Sequence, residues 1–147
     1  MNPDLQGRVF APTAPYLVGR EKVREFARAV FATNPINLDV DAARAAGYAD
    51  VVAPPTFPVV VQEAALAQLL AEPDGGIDFT RVVHGDQAFS YTRPIVAGDE
   101  LVATLAVTSI KTLGGNSMVT AESTIVDAAG AHVVTATSTL VVRAEDA

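Results

Sequence analysis

The sequence predicts an α+β fold in which a strongly bent antiparallel sheet wraps around one long central helix. Residues 57–71, FPVVVQEAALAQLLA, are apolar on nearly all sides, and a helix of this kind is normally buried. Four segments rich in valine, threonine and isoleucine follow it, separated by short turn-forming stretches. Strands that follow helices in one run favour an antiparallel sheet, because a parallel sheet needs strands and helices to alternate.

The helices of the first half are predicted from apolar spacing and from residues that stop a helix. From Arg20, apolar residues recur at helical spacing, which predicts an amphipathic helix that ends before Asn34-Pro35. A helical turn at residues 40–46 is expected to stop at Gly47. Thr56 is the predicted N-cap of the long central helix.

Five strands are expected, one short and near the N-terminus and four in the second half. The stretches PIVAGDE, LGGN and DAAG between the later strands are rich in turn residues. In the last strand, apolar residues alternate with threonine, which is typical of an antiparallel strand with one buried face. The predicted strands span residues 16–18, 82–91, 101–111, 117–126 and 132–142.

Composition and motifs exclude several classes of function. We expect residues 1–147 to form a single domain, and the net charge of −7 argues against binding to nucleic acid. There is no cysteine, no Gly-x-Ser-x-Gly stretch and no phosphate-binding loop. His84 and His132 lie far apart, so neither a metal site nor a cofactor is expected. Without a leader-like or membrane-spanning apolar run, we expect a cytoplasmic protein with no membrane partner.

Two stretches carry a resemblance to a known family. Residues 34–57, NPINLDVDAARAAGYADVVAPPTF, and residues 82–99, VVHGDQAFSYTRPIVAGD, resemble MaoC-like hot-dog dehydratases. The resemblance is closest to the non-catalytic subunit of the mycobacterial type of (3R)-hydroxyacyl-ACP dehydratase, a FAS1-like dehydratase domain. It implies the hot-dog fold, an acyl-CoA or acyl-ACP thioester as ligand, and a hot-dog partner chain in a homodimer or a heterodimer.

The resemblance also implies where the active site lies, and the catalytic residues are missing there. Active R-specific enoyl-thioester hydratases carry Asp-x-Asn-Pro-x-His, in which the Asp and the His bind the water that is added or removed. Asn34 and Pro35 match this motif, but Ala32 and Asn37 replace the Asp and the His. Neither replacement exchanges a proton near neutral pH, so no catalytic residue is expected at these positions.

A second catalytic feature of the family is also altered. Active members carry Ala-His-Gly before the central helix, and a backbone N–H there polarises the thioester carbonyl. Here the segment is Ala53-Pro54-Pro55, and because proline has no N–H, Thr56 or Phe57 would have to donate instead. The residues expected to contact the acyl thioester are Asn34, Pro35, Asn37, Tyr48, Pro54, Pro55, Thr56, Phe57 and His84.

Several of these side chains have a simpler structural interpretation as well. His84 and Asp86 would form a relocated acid/base pair if their strand is regular, because both side chains would then point to one face. The interpretation we favour is a structural histidine that is hydrogen-bonded to the backbone. Packing is the commoner role for a residue such as Tyr48, and His132 is expected to be solvated.

A stripe of arginines at helical spacing is the remaining candidate binding feature. Arg20, Arg24 and Arg28 lie four residues apart and would share one side of the first helix. They could meet a pantetheine phosphate or an acidic carrier protein. A solvated helix face, with the arginines paired to Glu21 and Glu25, is the favoured interpretation.

Three hypotheses about function follow from the sequence. The leading one is a non-catalytic subunit of an R-specific 3-hydroxyacyl-thioester dehydratase, which shapes the acyl-chain channel beside an active partner. The second is a self-sufficient homodimeric hydratase or thioesterase that uses His84 and Asp86. The third is a module that binds acyl-CoA without turning it over.

Overall fold

The computed structural model describes residues 1–144, and in this part of the chain one antiparallel sheet curls around a long helix. The predicted α+β architecture is therefore confirmed. The α-helices are α1 (Arg20–Ala29), α2 (Val40–Ala45) and α3 (Pro58–Leu70). The strands are β1 (Tyr16–Leu17), β2 (Val82–Tyr91), β3 (Glu100–Leu113), β4 (Asn116–Asp127) and β5 (His132–Val142), in the spatial order β1-β3-β4-β5-β2.

Helix α1 ends earlier than its apolar spacing suggests, in a Schellman motif. The N–H of Phe31 donates to the carbonyl of Arg28 at 3.2 Å, and the N–H of Ala32 donates to the carbonyl of Ala27 at 2.8 Å. This motif needs a left-handed residue, which is usually glycine, but here Phe31 adopts a φ of 56°. The ring of Phe31 is consequently turned out of the helix face and is 88% exposed.

Helix α3 packs on the inner face of the sheet with one side only. Val61, Ala65 and Leu69 are buried in the core, as the apolar sequence predicts, whereas Glu63 and Ala67 are exposed. The predicted N-cap at Thr56 is wrong, because Phe57 directly precedes the first helical residue and no side chain caps the helix. Residues 54–57 instead form a tight turn that leads into the helix, and Thr56 is part of this turn. The turn is closed by the hydrogen bond from the Phe57 N–H to the Pro54 carbonyl at 2.9 Å.

Strands β3, β4 and β5 build the rest of the core, mostly with every second residue buried. In β5 the predicted buried face is confirmed for Val134, Ala136, Leu140 and Val142, and Ser138 lies on the same face. Strand β2 departs from regular pairing, because a β-bulge between His84 and Asp86 shifts its register against β5.

The two edges of the sheet differ. Residues 7–18, which include β1, run along β3 and cover its edge with backbone hydrogen bonds, for example from the N–H of Phe10 to the carbonyl of Leu105 at 2.9 Å. Strand β2, by contrast, pairs only with β5 within the described residues. The sheet therefore presents one unpaired edge, ten residues long, of the kind that can accept another strand.

Candidate functional site

The Asn34-Pro35 loop, the segment before α3 and the end of β2 enclose a cavity of about 460 Å³. This loop cavity brings together three of the residues expected to contact the ligand, Asn34, Asn37 and Pro55. The complete lining is Asn34, Ile36, Asn37, Val52, Ala53, Pro55, Tyr91, Thr92, Arg93 and Pro94.

The loop is held by a small set of local hydrogen bonds. The Oδ1 atom of Asn34 accepts the N–H of Ile36 at 3.2 Å, which closes a short helical turn. The carbonyl of Ile36 then accepts the N–H of Val52 at 2.9 Å. The Nδ2 atom of Asn37 donates to the carbonyl of Val52 at 2.7 Å, and Asn37 is only 7% exposed. Asn37 thus crosslinks the two loop segments that form the cavity wall.

Ala32 lies on the approach to the same loop but outside the cavity lining. Its methyl side chain is half-buried, and its N–H is already used by the Schellman motif at the end of α1. At the two positions where the resemblance implies an acid/base pair, the structure therefore holds a methyl group and a buried amide that is committed to a backbone carbonyl.

Tyr91 closes the loop cavity from the side of β2. Its hydroxyl donates to the carbonyl of Pro55 at 2.8 Å, and it ties the end of β2 to the turn that precedes α3. Burial raises the pKa of the Tyr91 phenol well above its usual value of 10, so the group stays protonated at neutral pH. Tyr91 is not among the residues expected from the sequence to contact the acyl thioester, although this tyrosine lies at the end of VVHGDQAFSY, within the stretch that carries the family resemblance.

Arg93 contributes a fixed positive charge at the rim of the loop cavity. Its guanidinium donates to Asp99 at 2.8 Å and to Asp127 at 3.1 Å, and these contacts raise the pKa of Arg93 further. Two carboxylates therefore hold the side chain in place. Among the described lining residues, Tyr91 and Arg93 are the ones that titrate, and neither can act as a base at neutral pH.

The turn before α3 leaves one backbone donor unused. The N–H of Phe57 is bonded to the Pro54 carbonyl, and Pro58 has no N–H to offer. The N–H of Thr56 has no hydrogen-bond partner within the described residues. Of the two replacement donors named from the sequence, Thr56 is therefore the one that is available.

A second cavity of about 400 Å³ lies between α3, β2 and β5, and we call it the α3–β2 groove. The groove lies next to the loop cavity along β2. Strand β2 borders both cavities; α3 borders the groove, and the turn that leads into α3 borders the loop cavity. The groove is lined by Val59, Val60, Gln62, Glu63, Leu66, Leu70, Phe79, Val82, His84, Gln87, Ser138 and Leu140.

The bulge in β2 separates His84 from Asp86. His84 pairs with Leu140, which is buried in the core face, whereas Asp86 pairs with Thr139 on the opposite face of the sheet. The two side chains therefore do not meet, and the regular strand that a relocated acid/base pair requires is not present. The interpretation we favoured, a histidine bonded to the backbone, stays a prediction, since the imidazole of His84 makes no hydrogen bond within the described residues.

Comparison with known proteins identifies the family of the chain. A family model described as the FAS1-like dehydratase domain region matches residues 4–136. The chain belongs to this family. A UPF0336 protein of Clavibacter michiganensis subsp. michiganensis is 74% identical to this FAS1-like dehydratase domain over 147 residues, covering 100% of the chain and 99% of the relative.

Solved structures support the same assignment of family and fold. A chain of the HadBC (3R-hydroxyacyl-ACP dehydratase) complex from Mycobacterium tuberculosis is 32% identical, with a TM-score of 0.86 over 94% of this chain and 97% of that chain. A MaoC-like dehydratase is 38% identical, with a TM-score of 0.88 over 96% of this chain. This FAS1-like dehydratase domain spans only 43% of that second protein. The predicted hot-dog fold is confirmed.

Other residues named from the sequence have structural roles in this FAS1-like dehydratase domain. Phe57 is fully buried and packs edge-to-face on Phe26, with ring centroids 5.3 Å apart. His132 is not simply solvated, since its ring nitrogens lie 2.6 Å from the Thr92 hydroxyl and 2.9 Å from the Thr135 hydroxyl. Four further residues expected to contact the ligand, Pro35, Tyr48, Pro54 and Thr56, line neither cavity.

The arginine stripe on α1 is largely paired within this FAS1-like dehydratase domain. Arg20 donates to both carboxylate oxygens of Asp50, at 3.0 and 2.6 Å. Arg24 pairs with Glu21 and donates from Nε to the carbonyl of Leu38 at 2.7 Å. These two arginines therefore fasten the loops on either side of the cavity to α1.

No group of three or more histidine, aspartate and glutamate side chains lies close enough to hold a metal ion among residues 1–144. Over the same residues, no helix has the length and apolarity to cross a membrane.

Proposed function

We propose that this chain is a non-catalytic subunit of an R-specific 3-hydroxyacyl-thioester dehydratase, and that it shapes the acyl-chain channel beside an active hot-dog partner. The observation that carries the proposal is the state of Asn37. It occupies the position of the family's histidine, yet its amide is buried and committed to the carbonyl of Val52. A residue in that state stabilises the loop and does not transfer protons.

The reaction itself supports this assignment. Dehydration of a 3-hydroxyacyl thioester requires a base that removes the proton at C2 and an acid that protonates the departing hydroxyl. Each group must lie within hydrogen-bond reach and have a pKa near the working pH. Asn37 in the loop cavity and Ala32 on the approach to its loop offer no such group, and the phenol of Tyr91 is too weak an acid. We infer that the acid and the base come from the partner chain.

The chain retains features that suit binding rather than chemistry. The loop cavity keeps its Asn34-Pro35 turn, and the free N–H of Thr56 lies in the turn next to it. The α3–β2 groove continues along α3 and β2 from there, and apolar side chains form the larger part of its lining. An acyl chain whose thioester lies near Thr56 would bury its methylene groups in this groove, at about 25 cal/mol for each Å² of apolar surface removed from water.

The unpaired edge of β2 supports a two-chain assembly. Ten residues of backbone are open on that side, and the α3–β2 groove opens beside the same strand. A partner strand that pairs with β2 would complete the sheet and cover the groove. The similar HadBC structure is described as a (3R-hydroxyacyl-ACP) dehydratase complex. We propose that the partner of this chain is an active hot-dog chain with an intact Asp-x-Asn-Pro-x-His motif.

The proposal is tested by following hydration of trans-2-enoyl-CoA at the enoyl-thioester absorbance. The lone chain is expected to show no turnover above background, while its complex with a co-expressed active hot-dog chain hydrates the substrate and accepts longer chains than that partner alone. A complex whose partner carries asparagine in place of the motif aspartate is the matched control and should be inactive. Robust turnover by the lone chain, abolished by His84→Ala, would overturn the proposal.

A further inference from the structure

Three polar side chains form a closed hydrogen-bonded ring inside the α3–β2 groove, among lining residues that are mostly apolar. Gln62 Nε2 donates to the hydroxyl of Ser138 at 3.0 Å, and that hydroxyl donates to Gln87 Oε1 at 2.5 Å. Gln87 Nε2 completes the ring by donating to Gln62 Oε1 at 3.2 Å. Gln62 is 2% exposed and Ser138 is 1% exposed, so the ring is built into the groove floor.

The β-bulge in β2 is what places Gln87 in this ring. In a regular strand, His84 and Asp86 would share one face and Gln87 would point to the other. Because the bulge adds a residue after His84, Gln87 pairs with Ser138 and points into the groove, whereas Asp86 points away. Gly85 at the bulge lies close to β5, since a Cβ there would meet the carbonyl oxygen of Thr139 at 3.3 Å.

The ring leaves hydrogen-bonding capacity that faces the groove. Gln87 Nε2 carries two hydrogens, and within the described residues only one is bonded. The neighbouring imidazole of His84 lines the groove without any hydrogen bond in this part of the chain. A plain methylene chain laid across these groups would remove their water and give no hydrogen bond in return, which is unfavourable.

We propose that the Gln87–His84 pair is a polar subsite that recognises an uncharged oxygen, a hydroxyl or keto group, on the acyl chain. A keto oxygen can accept the free N–H of Gln87, and a hydroxyl can in addition donate to the imidazole. The carboxylate of Glu63 also lines the groove and disfavours an anionic group there. This inference deepens the proposed function and rests on it, because it assumes that the groove holds the acyl chain.

The position of the ring along α3 sets where on the chain the oxygen must lie. Gln62 is four residues beyond the first residue of α3, Pro58, which corresponds to about 6 Å along the helix axis. Val59 and Val60 precede the ring in the groove lining, and Leu66 and Leu70 follow it. The oxygen is therefore bound several carbons beyond the thioester, with aliphatic contacts on both sides.

The test is a series of equilibrium titrations of the full chain with CoA thioesters of one length. Dodecanoyl-CoA is compared by calorimetry with oxo-dodecanoyl-CoA isomers that carry the keto group at successive positions. One or two adjacent mid-chain positions should bind about five-fold tighter than dodecanoyl-CoA, which is the net effect of one added hydrogen bond. Keto groups near either end should bind no better than the unsubstituted chain.

Two variants separate this subsite from general binding. Gln87→Met keeps the length and removes the donor, so it should abolish the positional preference, whereas Leu66→Ala should weaken all the thioesters by a similar factor. If dodecanoyl-CoA binds but no keto isomer binds more tightly, the polar subsite is refuted and the proposed function stands. If no thioester binds the wild-type chain or its complex, the proposed acyl channel itself fails. The wild-type series decides the matter even if Gln87→Met does not fold.

Discussion

The side-chain amide of Asn37 donates to the backbone carbonyl of Val52 across 2.7 Å and joins two segments of the loop cavity. A histidine at this position in an active hydratase has to present a nitrogen to the substrate. An asparagine whose donor is turned into the wall cannot do so without leaving a buried carbonyl unpaired. The bond therefore links the loss of the proton-transfer group to the retention of the loop shape.

The first prediction concerns the stability that this bond supplies. Asn37→Ala should lower the free energy of unfolding by about 1–3 kcal/mol, because it leaves the Val52 carbonyl buried without a donor. Urea denaturation measures the change. Thr33→Ala, at an exposed position with no hydrogen bond, is the matched control and should stay within about 0.5 kcal/mol of wild type. Equal effects of the two substitutions would show that the bond contributes little.

Much of the fold follows from the sequence because its signals are local. The largely apolar segment of α3 and the alternation in β5 each predict burial directly, and burial is confirmed for the β5 face and for the side of α3 that packs on the sheet. The resemblance also indicated that the loop with Asn34 and Asn37 belongs to the ligand site, and both residues line the loop cavity. What the sequence could not give is the direction of the Asn37 amide, since that depends on Val52, fifteen residues away.

The second prediction concerns the left-handed residue that ends α1. Phe31→Gly should raise the stability by about 0.5–1 kcal/mol, because relief of the left-handed strain exceeds the added backbone entropy of glycine. Little packing is lost, since the ring is 88% exposed. Phe31→Ala removes the same ring but keeps the strain, so it should remain near wild type. Thermal and urea unfolding of both variants check this, and identical stabilities for glycine and alanine would contradict it.

The third prediction concerns acid pH and the pair formed by Arg20 and Asp50. The hydrogen bond from Arg20 lowers the pKa of the Asp50 carboxyl to about 2, against 3.8 for an unperturbed aspartate. Because the folded-state pKa is the lower one, the contribution of Asp50 to stability is complete above pH 4 and disappears as the pH falls toward 2. Asp50→Asn should therefore have a lower urea midpoint than wild type at pH 5–7, and the two proteins should converge near pH 2.

Arg20→Gln provides the matched variant for this pair. It removes the partner and keeps the carboxylate, so it should show the same convergence with wild type at low pH. The double variant should be no less stable than the less stable of the two single variants if the effect comes from the pair. A difference between Asp50→Asn and wild type that persists unchanged at pH 2 would assign it to another cause.

The bulge at Gly85 shows why the site was harder to predict than the fold. Alternation along VVHGDQ places His84 and Asp86 on one face, and the pattern of apolar and polar residues does not reveal the extra residue. The bulge arises from pairing with β5, where Gly85 approaches the backbone of Thr139 too closely for most side chains. The contact between Gly85 and Thr139, which lie more than fifty positions apart, thus determines which side chains of β2 face the groove. A glycine inside a strand pattern was the one local signal that could have indicated it.

The last prediction concerns assembly, and it follows from the difference between the two sheet edges. The edge of β3 is covered by residues 7–18, which include β1, whereas the outer edge of β2 is unpaired within residues 1–144, so association should involve β2. Light scattering at micromolar concentration should give at least a dimer for the wild-type chain. Val83→Lys, which puts a charge at a 48% exposed position on β2, should shift the mass toward the monomer. Leu17→Lys makes the same change at a 65% exposed position on β1 and should leave the mass unchanged. A wild-type monomer would contradict the predicted assembly, and a loss of assembly caused by Leu17→Lys alone would place the association surface at the β1 edge.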